Sequence, residues 1–402
     1  MKIGMILDHE FPPDPRVENE ALTLVEAGHE VHLYCLKLGG RGRERFDHRG
    51  IRGYRYGVAR ALRSISALAY TLPVYHWLLR PSVANFVAES GVEVLHVHDM
   101  RSARAVFWVN RRHRLPLVLD LHENRPEIMK FYPHVQRPSG RLLIYPRWWK
   151  RWEHRFIRRA DWVVVVTEAA RAHYVAATGK PAERIIVVPN TVRRKFYTEY
   201  TEDAAIADRY RGDFVILYLG DTGLRRGLLT AIDAMPEILR SVPNARLVTV
   251  GTSRDEGTLT ARARELGVAE RVDQRGWQSF ELFPAYIRAS AIGICPLHRN
   301  LHHDTTYANK LFQSLAFGRP LVVSDSTAQR ELVERYDCGL VFPERDAAAY
   351  ARAVVRLATE AATYGRMAAN ARRAVEEDLH WEKYSRGLTD FYARLAAGHS
   401  PG

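Results

Sequence analysis

One pattern constrains this chain more than any other. Short β-branched runs alternate with amphipathic stretches: KIGMIL (2–7), VHLYCL (31–36), VEVLHV (92–97), LPLVLDL (115–121), WVVVV (162–166) and RIIVVP (184–189). Strands separated by helical stretches need crossover connections, so they build a parallel sheet covered by helices. After Pro189-Asn190 the pattern restarts with FVILYLG (214–220), ARLVTVG (245–251), RVDQRG (271–276), IGICP (292–296), PLVVSD (320–325) and GLVF (339–342). A chain of 402 residues is too long for one ordinary core. The expectation is therefore α/β: two Rossmann-like domains, 1–190 and 191–375, facing each other across a cleft. The charge-rich stretch around 190–212 marks the boundary. Residues 376–402 place Trp381, Tyr384, Leu388, Phe391 and Leu395 at helical spacing, which predicts an amphipathic terminal helix packing back across the junction.

Composition narrows the class. Hydrophobic residues are 47% and charged residues 26%, an ordinary balance for a compact globular chain. The apolar stretches stop short of a spanning helix, and the N-terminus turns acidic too early for a signal peptide. Cys35, Cys295 and Cys338 are far apart with no CxxC pair, which argues against a disulfide framework or a zinc site and for the reducing cytoplasm.

Ligands of open α/β sheets bind outside the carboxyl ends of the strands, so the residues there come first. In YANKLFQSLAFGRPLVVSD (307–325) a short helix begins near Ala308-Asn309 and stops at Gly318. A helix start favours an anion, Lys310 adds a formal charge, and Gln313 lies one turn on; the bland reading is a capped helix with a surface lysine. YLGDTGLRRGLLTAI (218–232) ends a strand in a loop holding Gly220, Gly223 and Gly227. There Arg225 and Arg226 either neutralise a diphosphate or are solvated on a turn. VLDLHE (118–123) delivers Asp120, His122 and Glu123 to a strand end, with His122 either a ligand contact or a histidine satisfied within its domain. HVHD (96–99) is too short a list for a metal and reads as structural. DHEFPPDPRVENEA (8–21) reads as a rigid proline loop followed by a helix containing Arg16, Glu18 and Glu20. The loop sits at a strand's carboxyl end and should line the cleft, where Asp14 and Arg16 either touch ligand or cap the helix.

Taken together and in order, DPRVENEALTLVEAGHEVHLY, DLHE, VVPNTV, the glycine-arginine loop and NKLFQSLAFGRPLVVSD resemble glycosyltransferase family 4, retaining enzymes of the GT-B fold. The resemblance spans nearly the whole chain, including the Trp381-Glu382 pair. It implies that the C-terminal domain binds a nucleotide diphosphate sugar and the N-terminal domain an acceptor, with no metal clearly required and no cofactor beyond that donor. Arg226 matches the basic residue that meets the diphosphate and His122 the strand-end histidine near the sugar; these two are the catalytic candidates. Tyr307, Ala308, Asn309 and Lys310 match the segment whose amides face sugar and phosphates. With Gly223, Arg225, Thr305, Thr306 and Gln313 they complete the donor-site set, and Asp14, Arg16 and Glu123 form the acceptor or cleft set. The family's two glutamates, eight positions apart, read here as Thr305 and Gln313, and its first loop arginine reads as Asp221. These departures keep a catalytically weak or inactive sugar-nucleotide-binding homologue open beside a transferase, as does an epimerase of the same fold.

The net charge of +13 is uneven. Residues 51–190 carry 23 basic and 10 acidic groups, whereas 191–402 carry 29 and 27. The excess therefore belongs to the acceptor half, and points to an anionic partner. In YPRWWKRWEHRFIRRA (145–160) a helical projection groups Tyr145, Trp149, Trp152 and Phe156 opposite the arginines. With the apolar, basic-flanked stretch 59–81 it suits either an anionic membrane surface or a core-packed aromatic stripe with solvated arginines. No nucleic-acid-binding module is recognisable. The expected function is hexosyl transfer to a glycan or lipid-linked acceptor in cell-surface polysaccharide or glycolipid synthesis, in the cytoplasm or peripheral on the inner membrane face.

Overall fold

The computed structural model describes residues 1–398. The chain divides into two compact units, one holding Met1–Pro189 and the segment from Ser385 onward, the other Asn190–Tyr384. The change of unit falls one residue before the expected boundary. The expected 376–402 tail is not one body: the helix Ala361–Glu377 ends inside it, and a new helix, Trp381–Ala396, follows. Residues 399–402 lie outside the described residues.

The first unit is built on eight strands: β1 (Lys2–Ile6), β2 (Glu30–Leu38), β3 (Arg43–His48), β4 (Ile51–Val58), β5 (Val94–His98), β6 (Leu117–Leu121), β7 (Trp162–Val165) and β8 (Ile185–Val187). Their order is β3-β4-β2-β1-β5-β6-β7-β8, parallel except for the β3–β4 hairpin. Every residue of β5, β6 and β7 is buried. Helices on both faces of a parallel sheet leave no wet side, hence the near-continuous apolar runs in sequence. The spacing of β-branched runs does not announce β3 and β4, whose sequences RERFDH and IRGYRYGV mix charged with aromatic residues. Their turn is at Arg49 and Gly50, both with positive φ (57° and 88°), the geometry a tight hairpin needs. Charged, exposed β3 closes the sheet edge.

The second unit has six parallel strands: β9 (Phe214–Leu219), β10 (Ala245–Val250), β11 (Val272–Gln274), β12 (Ile292–Cys295), β13 (Leu321–Ser324) and β14 (Gly339–Phe342), in the order β11-β10-β9-β12-β13-β14. Order reverses beside β9, where a doubly wound sheet opens a crevice at its carboxyl edge. The final helix begins in this unit, where the Trp381 amide donates to the Val192 carbonyl at 2.9 Å. It ends in the first, with Phe391 edge-on to Trp162 at 5.3 Å. Tyr392, outside the stripe read from sequence, is fully buried, and Leu395 is half-buried.

Candidate functional site

In the second unit the loop after β9 folds around one carboxylate. Asp221 accepts from the Gly223 amide (3.0 Å), Arg225 Nη2 (3.1 Å) and Arg226 Nε (3.2 Å). Both arginines sit on the 3₁₀ turn Leu224–Arg226. Two glycines here are geometrically required: Gly220 has φ +105°, and Gly227 has φ +77° with a Cβ position 1.7 Å from the Pro296 carbonyl oxygen. Gly223 has negative φ and is small by neighbourhood instead, its Cβ position lying 3.2 Å from Asp221 Oδ1.

The helix Asn309–Ala316 starts behind Ala308, whose side chain offers no cap. The Leu311 amide turns back to the Ala308 carbonyl at 3.0 Å, and the amides of Asn309 and Lys310 before it suit an external acceptor. Gly318 (φ +66°) terminates it, donating to the Leu315 carbonyl at 2.9 Å. Lys310 is not a surface lysine. It is buried with Nζ 3.6 Å from the centre of the Tyr218 ring. Gln313 is buried one turn on and Asn309 is exposed. Tyr307 stands edge-on to Phe312 at 5.4 Å. The hydroxyls of Thr305 and Thr306 both donate back to their own helical turn, at 2.6 Å to the Leu301 and His302 carbonyls. A residue that sequence reasoning missed is His303, whose Nε2 accepts from Arg225 Nη1 at 3.4 Å. Burial drives its pKa down to about 3, the nearby arginines adding to the effect, so it is a neutral acceptor that orients Arg225.

Burial, with the Arg226 and Arg225 charges beside it, also draws Lys310 down from its ordinary 10.5 to about 7. A group depressed in this way is charged below about 7 and loses its charge as pH rises through that value, while a bound diphosphate favours the charged form. Nucleoside diphosphate affinity should therefore be full at pH 6.5 and fall about tenfold by pH 8.5. Lys310→Met should bind weakly and without that pH dependence. Calorimetry across this range decides it, and a flat wild-type profile would contradict the assignment.

In the first unit β5 and β6 present His96, His98, Asp120 and then His122 on one face, with His98 and Asp120 in register. His122 Nε2 donates to Asp120 Oδ2 at 2.9 Å, and His98 Nδ1 lies 3.2 Å from the same nitrogen. Burial alone would discharge His122, but Asp120, backed by Asp99, holds its pKa up to about 9. It is an imidazolium at neutral pH, partly exposed, with Nδ1–H lacking a partner among the described residues. Asp120 is fully buried, which opposes its charge, yet Arg16 and His122 keep it well below the usual carboxylate range. Burial pushes Glu20 the other way, towards its neutral form.

Arg16 does not belong in the ligand-facing set. It is 3% exposed. Its Nη2 lies 2.9 Å from both Glu20 and Asp120, and Nη1 donates to the Val188 carbonyl at 2.9 Å. It is the counter-ion that lets Asp120 stay charged inside the sheet edge. Asp14 caps the helix Pro15–Glu26 by accepting from the Val17 amide at 3.0 Å, and its other oxygen holds His9 at 2.9 Å. Glu123 is half-exposed beside His122. Ligand atoms of Glu20, His96, His98 and Asp120 lie within 4.8 Å of one another, a spacing suited to a metal. The Arg16 guanidinium, however, already sits as the cation against both carboxylates.

Comparison with known proteins bears on this geometry. Residues 13–191 match the glycosyl transferase 4-like domain, and residues 213–360 match the glycosyl transferases group 1 family. The chain is 23% identical over 367 residues to a phosphatidyl-myo-inositol mannosyltransferase of Mycobacterium leprae, covering 89% of this chain and 87% of the relative. It is 27% identical over 235 residues to the GDP-mannose-dependent alpha-(1-6)-phosphatidylinositol monomannoside mannosyltransferase of Mycobacterium tuberculosis, covering 58% and 61%. Among solved structures, sucrose-phosphate synthase of Thermosynechococcus elongatus matches with a TM-score of 0.78 at 19% identity over 99% of both chains. Anabaena HepE in complex with UDP matches with a TM-score of 0.73 at 15% identity, over 98% of this chain and 100% of that one. At these identities the structural matches establish a shared fold.

Proposed function

This chain belongs to the glycosyltransferases that join a 4-like N-terminal domain to a group 1 C-terminal domain, and we propose that it transfers a hexosyl group from a nucleotide diphosphate sugar to a glycan or lipid-linked acceptor, with retention at the anomeric carbon. The observation that carries the donor half of this reading is the concentration of Arg225, Arg226 and Lys310 beyond β9, where two guanidiniums share the single carboxylate of Asp221 and the ammonium rests on an aromatic ring. Cations arranged this way, beside an uncapped helix start, suit a diphosphate.

Retaining transfer asks for a stabilised diphosphate leaving group, a held oxocarbenium-like centre and an acceptor hydroxyl attacking from the same face. Positioned charge supplies most of that. Arg226, Arg225, Lys310 and the first amides of the helix Asn309–Ala316 take up the leaving-group charge, a role that calls for no metal ion. His122, charged and with Nδ1–H available, is the group proposed to meet the sugar. Thr305 and Asp221 favour a second reading, a weakly active homologue: the Thr305 hydroxyl is engaged with its own helix, and Asp221 draws on both loop arginines.

No helix among the described residues is long and apolar enough to cross a membrane. The aromatic face of 145–160 is partly core, with Trp149 and Phe156 buried, while Tyr145, Trp148 and the arginines around them are exposed. The exposed part, around Tyr145, Trp148 and the arginines, fits peripheral contact with an anionic bilayer. One experiment reads both proposals: the protein is mixed with a panel of UDP-, GDP-, ADP- and dTDP-sugars and vesicles of bacterial lipid extract. The expected result is a thermal shift with one donor, transfer of labelled sugar above background, and co-flotation with the vesicles that is lost at high salt. A thermal shift without turnover favours the weakly active reading, and neither shift nor turnover rejects the donor site.

A further inference from the structure

The stretches 59–81 and 145–160 meet inside the first unit. Tyr70 stands edge-on to Trp149, ring centroids 4.7 Å apart, and 5.8 Å from Phe156. Together they wall one side of a cavity of about 700 Å³, whose remaining walls come from residues 101 and 125–144. Its lining separates by chemistry. Leu68, Met129, Leu143 and Ile144 are apolar, while Arg101, Arg125 and the Trp149 indole bring N–H groups. Arg101 is paired with Asp8, its Nη2 donating at 2.8 Å. Arg125 donates through Nη1 to the Tyr132 hydroxyl at 3.2 Å and reaches Asp99 through Nη2 at 3.5 Å.

Three buried donors in this lining have no hydrogen-bond partner, Arg101 Nε, Arg125 Nε and Trp149 Nε1. Arg101 Nε still lies 2.5 Å from the Asp8 carboxylate, so Arg125 Nε and Trp149 Nε1 are the two left unmatched. A buried donor left unpaired carries its desolvation penalty, and an acceptor-rich ligand would relieve both. A guanidinium and an indole N–H lining one cavity suit a negatively charged oxygen group. Next in sequence to lining residues, Phe131, Leu142, Tyr145 and Trp148 are exposed, Leu142 by 69%, as is Leu143 of the lining itself. Residues 128–152 contain six lysines and arginines and no acidic residue. Exposed apolar side chains and positive charge in the segment that supplies most of the lining, together with unpaired donors in the lining, match a molecule with an anionic head and an apolar chain. Arg101 and Arg125 follow β5 and β6, the strands that also deliver His98 and His122, so the cavity lies at the same edge of the sheet.

We propose that this cavity binds the phosphate-bearing end of an amphiphilic acceptor, with Arg125 and Trp149 donating to phosphate oxygens and the Met129–Leu143–Ile144 wall covering the first carbons of its chain. The assignment rests on reading the chain as a transferase acting on a lipid-linked acceptor. It is tested without any nucleotide sugar, so that failure of the donor site and failure of this cavity are seen separately.

Dodecyl phosphate, held below its micellar concentration, is titrated into the full-length protein and followed by tryptophan fluorescence and calorimetry, with dodecyl maltoside and inorganic phosphate as parallel arms. The expected result is binding at least about tenfold tighter than either control. Arg125→Gln should lose about tenfold in affinity. Because Arg125 also holds Tyr132, Ser139→Trp is the second variant: it places bulk in the cavity from an exposed position and should abolish binding with an unchanged melting temperature. Equal binding of dodecyl maltoside overturns the phosphate subsite. Inorganic phosphate binding as tightly as dodecyl phosphate reduces it to a free-anion site and overturns the amphiphile. Wild-type affinity in Ser139→Trp overturns the location.

Discussion

Turnover of the His122→Ala variant is expected to fall by about 10²- to 10³-fold, with nucleoside diphosphate affinity unchanged within about threefold. The split follows from where the charges reside. The cations proposed for the diphosphate are Arg225, Arg226 and Lys310, in the unit Asn190–Tyr384, while His122 belongs to the other. What alanine removes is an imidazolium kept charged by Asp120 to about pH 9, together with its unpartnered Nδ1–H. The sign of the pH dependence is fixed by the upward shift: a donor needed in its protonated form gives full activity below that pKa and loses it as pH rises through about 9. The wild-type rate should therefore carry an alkaline limb near 9 that His122→Ala lacks. The measurement is kcat and KM against pH for both proteins. Turnover of the variant within a few-fold of wild type would remove His122 from the chemistry.

Arg226→Ala should weaken nucleoside diphosphate binding by about 100-fold, the loss of a charge-assisted contact of roughly 2–3 kcal/mol. Two effects act in the same direction. One is the missing guanidinium, partly buried and tied to Asp221 at 3.2 Å. The other is Asp221 itself, which keeps its negative charge with one counter-ion fewer and then repels the incoming diphosphate. Asp221→Asn separates these contributions. The amide oxygen still accepts from the Gly223 amide, so the loop keeps its shape, while the competing charge is gone and affinity should rise several-fold. Calorimetric titration of UDP and GDP into the three proteins is sufficient. Unchanged affinity in Arg226→Ala would place the diphosphate elsewhere.

The parts of this arrangement that could be read from sequence are those set by local periodicity. The strand that carries Asp120 and the one that ends just before Asp221 were each legible as an apolar run ending in glycine or polar residues, because burial on both faces of a parallel sheet forces such runs. The helix Asn309–Ala316 was legible from its stop at Gly318. The clustering of Arg225 and Arg226 on a glycine loop was equally visible. The β3–β4 hairpin was not, since its half-exposed strands need no β-branched run. Arg16, read as touching ligand or capping its helix, does neither for a related reason: at the start of a helix after β1 its direction is open until the helix Pro15–Glu26 turns it inward onto Glu20 and Asp120. For Lys310 a charge at the helix start and a surface lysine both stayed open, because an eight-residue helix does not reveal which of its faces the ring of Tyr218 covers. Tyr392 fell outside the stripe assigned to the last helix, yet it reaches His96 Nδ1 at 2.7 Å.

Sequence by itself therefore determined two α/β sheets of mostly parallel strands, the start and stop of the helix Asn309–Ala316, and the location of the positive charge in residues 51–190. Those features depend on hydrophobic patterning and composition within a few residues. Tertiary structure alone decided the charge states and the enclosed spaces. It joined Arg16 to Asp120 across 104 positions and His96 to Tyr392 across 296, buried Lys310 until its ammonium was near neutrality, and brought 59–81 against 145–160 to leave a donor-lined cavity. Protonation in a protein interior is set by desolvation and by the nearest charges in space, and neither quantity is written in the order of the residues.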